Sequence, residues 1–414
     1  MPQRARSYRL WCVLLLLISV VARLAWGLLT PNGMNLVDLH VYVDGSAALL
    51  SGELYDFTYS RDTPDFPLPF TYPPFAALVF LPLHYLPFGL LGIMWLLLTI
   101  AALFYVIRIA LELLVGPAAH DDRWTSVALV WTAIAVWTEP VRTTLDYGQI
   151  NVFLVLAVMV AVRSSRWWLS GGLVGVTAGI KLTPAITGVY FLARRRWREA
   201  FFSAVAFGAT VVVSAVLLGE QARTYFTSLF GDADRIGPVG SVWNQSLRGA
   251  LSRLLGRDVD TGAVWIVAVA VCALLAVAAW RSLGPDDRLG TLVIVQLFGL
   301  LISPISWVHH WVWVVPMLLW LVYGPLAGRL GTRVVAVCWA AVTLVGVPWV
   351  LSTFQASMWD IDRPAPLAWL GAVNVVGVLV VYLWMIVAPR WGERDAATAR
   401  PAHRSCEPEP DRPR

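Results

Sequence analysis

The chain has 414 residues, 58% hydrophobic and 14% charged, with a formal net charge of +5 and 22 tryptophans. A mean hydropathy of +0.68, with a charged share well below the roughly one quarter of soluble domains, excludes a soluble globular protein. It marks an integral membrane protein, and the modest positive charge is no signature of nucleic-acid binding.

The first apolar run, 10–29, follows Arg4, Arg6 and Arg9 as the core of a signal peptide does. It lacks a small-residue cleavage site and outruns a signal core, so it reads as a retained helix. The basic flank places the N-terminus in the cytoplasm and delivers Asp38 to the external side.

Residues 30–88 form no clean span. They carry Asp38, Asp44, Glu53, Asp56, Asp62 and Asp65 against a hydrocarbon boundary, where ionisable groups are costly and usually functional. The run at 70–88 is broken by prolines and reads as external helices lying along the surface. A normal span there would put the RRRWR cluster at 194–198 outside, against the positive-inside rule.

Apolar runs then alternate across the membrane: 89–114, 125–138, 151–162, a short hairpin with its tip at Lys181–Pro184, 200–218, 261–280, 289–302, 311–327, 332–352 and 367–389. Basic clusters fall mostly on the cytoplasmic side of this path. The pattern predicts an all-α polytopic membrane protein with about twelve transmembrane helices plus external amphipathic helices. One membrane domain is expected over 1–390, with 30–88 as its external loop. The polar segment 391–414 is expected to be a disordered cytoplasmic tail. Cys12, Cys272, Cys338 and Cys406 have neither metal nor redox spacing and read as small buried hydrophobes. No inverted repeat of the kind that marks secondary transporters is visible.

The unusual polar residues collect on the external face: Asp38 and its loop, EPVRTTLDYGQIN at 139–151, KLTP at 181–184, NQSLRG at 244–249 and SPISWVHHW at 303–311. A glycolipid flippase would need polar residues on both leaflets. The chain shows neither a Walker loop nor a Rossmann glycine fingerprint, so a soluble nucleotide-sugar donor is not expected.

With TYPP at 71–74 and DLHVYVDGSAALLSGELYD at 38–56, these motifs resemble, in this order, glycosyltransferase family 87 of the GT-C superfamily. The resemblance covers about 20–390. It implies a GT-C fold and periplasmic-side transfer of mannose, in α-(1→2) linkage, from polyprenyl-phosphate-mannose to a cell-envelope glycolipid. The implied acceptor is a phosphatidylinositol mannoside or lipomannan/lipoarabinomannan. Another lipid-linked sugar, such as polyprenyl-phosphate-arabinose, is the alternative donor. The family's donor is β-linked and its product α-linked. That is inversion, which needs one base and no covalent intermediate.

Asp38, the first Asp of the DxxVY element, is the expected base. Tyr42 shares its helix face at i+4 and is a substrate-binding candidate, to stack on a sugar or orient the base; Asp44, well round the helix, is a further substrate-binding candidate less placed to share a substrate atom with Asp38. Lys181, Arg142 and Arg248 are expected to neutralise the lipid phosphate. Gln149, Asn151, Asn244 and Gln245 carry neutral groups suited to sugar hydroxyls. His309 and His310 are candidates to hold the phosphate or tune the base. Adjacent helical residues diverge by about 100°, so one of them, preferentially His310, is expected to face the site. Two adjacent histidines are a poor metal site, and neither a metal nor a cofactor is expected. Arg23 is expected to snorkel outward or to pair with an external carboxylate.

Overall fold

The computed structural model describes residues 2–30, 33–64 and 66–398, so Asp65 and Cys406 lie outside it. Among these residues the regular structure is helical, apart from a short antiparallel pairing of Thr58–Tyr59 with Leu68–Pro69 and an isolated bridge between Asn244 and Trp307.

The apolar runs become helices close to where the sequence puts them. They include Phe88–Val115, Asp122–Ala135, Asn151–Arg163, Trp197–Leu218, Ala263–Arg281, Arg288–Ile302 and Leu330–Val345. The segment at 70–88 is broken as expected, into Pro74–Phe80 and a 3₁₀ turn at Leu81–Tyr85. The last helix runs from Val373 to Thr398, past the point where the tail was expected to begin.

Four helices are long and apolar enough to cross a membrane alone: Ser7–Leu29, Phe88–His120, Trp197–Leu218 and Ala263–Arg281. A fifth candidate, Glu139–Tyr147 with Asn151–Arg163, is bent by 119°. The other apolar helices have 10–17 residues. At about 1.5 Å per residue they fall short of a hydrocarbon core about 30 Å thick. Helix length therefore establishes several spans and leaves the count of twelve beyond it.

Burial separates lipid-facing from central helices. In Ser7–Leu29, Trp197–Leu218 and Ala263–Arg281 only 17% of the apolar window is buried, against 44% in Phe88–His120. Ile18, Val216, Leu217 and Leu274 point outward, a pattern suited to hydrocarbon and not to water. Inside, Leu103, Val106, Ile107, Leu292, Val293, Trp311 and Trp320 make one core. A second core is built mainly from the segment 37–80, with Tyr42, Leu54, Phe70 and Phe80, and is joined by Leu91, Ile150, Leu154 and Tyr225. Cys12 and Cys272 are buried, whereas Cys338 is exposed, contrary to expectation. It sits on an apolar helix whose neighbours Val334 and Val337 also face outward.

Two local devices position the site. Gly171, Gly175 and Gly179 recur every fourth residue in Trp167–Ile180. A Cβ on Gly175 would lie 2.4 Å from the Ser203 carbonyl oxygen, and one on Gly179 2.3 Å from Thr210 Oγ1. The stripe lets Trp197–Leu218 approach backbone to backbone. At the other side, Asn35 and Leu36 both donate their N–H to the Asp146 carbonyl, at 3.1 and 2.8 Å. Leu36 adopts φ 52° to do so. Arg23 meets the Asp146 carboxylate, so of its two expected roles the structure shows a pairing with a carboxylate. Gly148, at φ 68°, lets the chain pass Leu39, where a Cβ would be 2.7 Å away. The helix Val37–Ala48 is thereby docked on the bend at 148–150.

Candidate functional site

The bend, the end of Trp167–Ile180 and the segment 303–313 surround a cavity of about 1020 Å³. Asp38, Tyr72, Glu139, Tyr147, Gln149, Asn151, Lys181, His309 and His310 line it.

Asp38 sits in the first turn of Val37–Ala48, where the helix dipole favours an anion. It is half-buried and opens into the cavity. Burial lifts its carboxyl to about 6, opposed by the charge of Lys181 and a hydrogen bond with Gln149. That value leaves the group mostly ionised at neutral pH and still able to take a proton.

Gln149 organises this corner. Its Oε1 accepts from the Tyr42 hydroxyl at 2.9 Å, and from the Tyr72 hydroxyl and Lys181 Nζ at 3.4 Å each. Its carbonyl is thus occupied by donors, which leaves the amide N–H₂ to face Asp38. Lys181 follows the last residue of its helix in extended conformation. Its Nζ donates to Asn151 Oδ1 at 2.9 Å and lies 5.2 Å from the Tyr72 ring centre. Asn151 Nδ2 donates to the His309 carbonyl at 2.8 Å, joining the bend to the histidine wall.

Both histidines line the cavity, which corrects the expectation that only one would. Val308–Trp313 is a 3₁₀ segment with non-helical angles at Trp311, so α-helical spacing does not apply. His309 Nε2 and His310 Nδ1 are buried without a partner among the described residues. Buried donors or acceptors of this kind are costly unless a ligand meets them.

Several expected contacts lie off the cavity. Tyr42 is wholly buried behind it and holds Gln149. Asp44 points elsewhere, 3.3 Å from His40 Nδ1, with 44% of its side chain exposed. Asn244 and Gln245 are buried and spend their amides on backbone. Asn244 Nδ2 donates to Val239 and its Oδ1 accepts from Ser306 N, while Gln245 Nε2 donates to Val242 and Gly371. They hold the 303–307 wall in place and are unavailable to sugar hydroxyls. Arg248 is engaged by Asp258 at 3.0 and 2.6 Å and by Asp260 at 3.3 Å. Arg142 stacks on Trp349, 5.2 Å from its ring centre. Neither arginine lines the cavity.

Sequence reasoning passed over Tyr72, Glu139, Tyr147 and Arg235 as site residues. Arg235 lines the cavity, as Asp62 and Asp232 do, and bonds the Tyr55 carbonyl. It lies in an aperiodic loop, where spacing carries no signal. No group of three or more His, Cys, Asp or Glu side chains able to hold a metal occurs among the described residues.

A carboxylate, a positioned lysine amine and two imidazoles lining one cavity suit transfer of a phosphate-linked group to a hydroxyl. The sequence profile of Glycosyltransferase family 87 matches residues 70–304. The chain belongs to glycosyltransferase family 87. Its match within the family extends almost end to end. It is 54% identical, over 93% of both chains, to a polyprenol-phosphate-mannose-dependent alpha-(1-2)-phosphatidylinositol pentamannoside mannosyltransferase of Mycolicibacterium smegmatis. A protein of the same description from Mycobacterium tuberculosis is 55% identical over 92% of this chain and 88% of its own. A polyprenol-phosphate-mannose-dependent alpha-(1-2)-phosphatidylinositol mannoside mannosyltransferase of Mycobacterium tuberculosis is 34% identical, over 82% of this chain and 81% of its own. No solved structure matches. The family-87 motifs of the sequence thus converge on the cavity at Asp38, TYPP, the bend, Lys181 and the histidine pair.

Proposed function

We propose that this glycosyltransferase moves mannose from polyprenyl-phosphate-mannose to a phosphatidylinositol mannoside, forming an α-(1→2) linkage with inversion. The pentamannoside named for two relatives more than half identical to this chain is the acceptor of choice. The observation that carries the mechanism is the sharing of one cavity by Asp38 and the Lys181–Asn151–Gln149 network.

In this reading the acceptor 2-hydroxyl attacks C1 of the donor mannose. The C1–O bond to phosphate breaks, with its electron pair leaving on the phosphate. The hydroxyl proton passes to Asp38. Lys181 and the paired imidazoles of His309 and His310 receive the phosphate. Because phosphate leaves readily once its charge is met, these groups serve in place of a general acid. The cavity faces the periplasm, both termini are cytoplasmic, and the membrane path has about twelve passes. The lipid tails of donor and acceptor stay in the same leaflet.

The test is transfer by the purified full-length protein in detergent. Polyprenyl-phosphate-mannose and polyprenyl-phosphate-arabinose are offered in turn, with phosphatidylinositol mannosides of increasing length. Mannose transfer to the pentamannoside, with the product cleaved by an α-1,2-mannosidase, is expected. Arabinose transfer alone, or a different linkage, would overturn the reading.

A further inference from the structure

Glu139 is 3% exposed and still lines the cavity. It opens the helix Glu139–Tyr147, and its Oε1 accepts the backbone N–H of Trp349 at 2.8 Å. No ion pair holds it among the described residues. Its second oxygen makes no hydrogen bond among the described residues, and the residue lines the cavity. A carboxylate so placed needs donors, and in a site for neutral sugars the donors on offer are hydroxyls.

Lys181, His309 and His310, the groups assigned to the phosphate above, make no hydrogen bond or ion pair with Glu139 among the described residues. A carboxylate beside the departing phosphate would repel it. Glu139 is therefore assigned to the acceptor, which an inverting displacement brings in opposite the leaving group. Asp38, Glu139 and Tyr147 all line the one cavity. Trp349 lines the cavity beside Glu139 and offers the flat apolar surface that sugar rings stack on.

We infer that Glu139 binds a second hydroxyl of the acceptor's terminal mannose, orienting the ring so that its 2-hydroxyl meets Asp38. The inference rests on the function proposed above. It makes Glu139 a substrate-positioning residue, distinct from the base.

The experiment pairs enzyme and substrate deletions. Octyl α-mannoside and its 3-, 4- and 6-deoxy forms are used as acceptors with wild type, Glu139→Gln and Glu139→Asp. Gln keeps an oxygen for the Trp349 N–H, so the local fold is preserved. For the parent acceptor, Glu139→Gln should lower kcat/KM by about 10- to 100-fold, the usual effect of losing a hydrogen bond to a charged group. Donor KM should move less than about twofold, because the interaction is confined to the acceptor. One deoxy acceptor should cost wild type a similar factor and cost Glu139→Gln less than about threefold, since the lost partners are the same pair. If every deoxy acceptor loses equally in wild type and variants, or donor KM rises with the substitution, Glu139 is structural and the inference is wrong. If Glu139→Gln does not fold, Glu139→Asp and the wild-type series decide. A wild type indifferent to all three deletions overturns the inference. A wild type that transfers no mannose to any acceptor fails the functional proposal instead.

Discussion

If Asp38 takes the acceptor proton, activity must follow its ionisation. Its carboxyl is lifted from 3.8 to about 6 by burial, with Lys181 and Gln149 opposing. A base works deprotonated, so the rate is retained above this value and lost below it. A group titrating at about 6 is about 90% ionised at pH 7 and about 10% at pH 5, so kcat/KM should fall about tenfold between them. An unshifted carboxyl would lose little over that range. Asp38→Asn removes the base and should lower turnover by about 10²–10⁴-fold while donor binding persists. Asp44→Asn is the control and should lose far less, since Asp44 faces His40 outside the cavity. The assay is mannose transfer by detergent-purified protein between pH 5 and 8, with donor affinity measured separately. A flat profile down to pH 5, or Asp38→Asn retaining more than about a tenth of wild-type turnover, would refute the assignment.

Lys181→Ala should raise donor KM by about 10- to 100-fold, because the ammonium is positioned for the phosphate by Asn151 and Gln149; an unchanged donor KM would remove it from the phosphate site. Arg248→Ala should instead cost about 2 kcal/mol of stability by stranding Asp258, with donor KM unaltered, and a thermal melt beside a donor titration separates the two effects. Gly175→Val should prevent normal folding, since even a Cβ there would sit 2.4 Å from the Ser203 carbonyl; normal yield of monodisperse, active protein would contradict the close-packed helix pair.

Much of this was legible before any coordinates. Apolar runs announce helices because lipid-facing and core side chains are both hydrophobic, and the prolines at 73–88 announced the break at Pro74–Phe80. Asp38, Gln149, Asn151 and Lys181 were legible as polar groups at the ends of apolar runs. What failed was direction. Arg142 and Arg248 read like Lys181 in sequence, but a stacking partner at Trp349 and a carboxylate at Asp258 claim them. Asn244 and Gln245 read as sugar ligands because nothing local says that distant backbone carbonyls consume their amides. The histidines were divided by a helical angle, yet the cavity reaches both along a segment that departs from helical geometry at Trp311. Glu139 stayed hidden because its value depends on a bend and on Trp349, far along the chain.

The docking of the helix that carries Asp38, through Asn35 and Leu36 on the Asp146 carbonyl, has a consequence for biosynthesis. The base leaves the ribosome early, on the heels of the first helix, but its platform at 139–151 comes later and the histidine wall later still. Gln149 must pack before Asp38 is held, and Asn151 cannot be fastened until the His309 carbonyl exists. Domains form as their parts emerge from the N-terminal end. The growing polypeptide therefore carries a reactive carboxylate through most of its synthesis without the groups that would let it spend a lipid-linked sugar. Activity becomes a report that assembly in the membrane is complete.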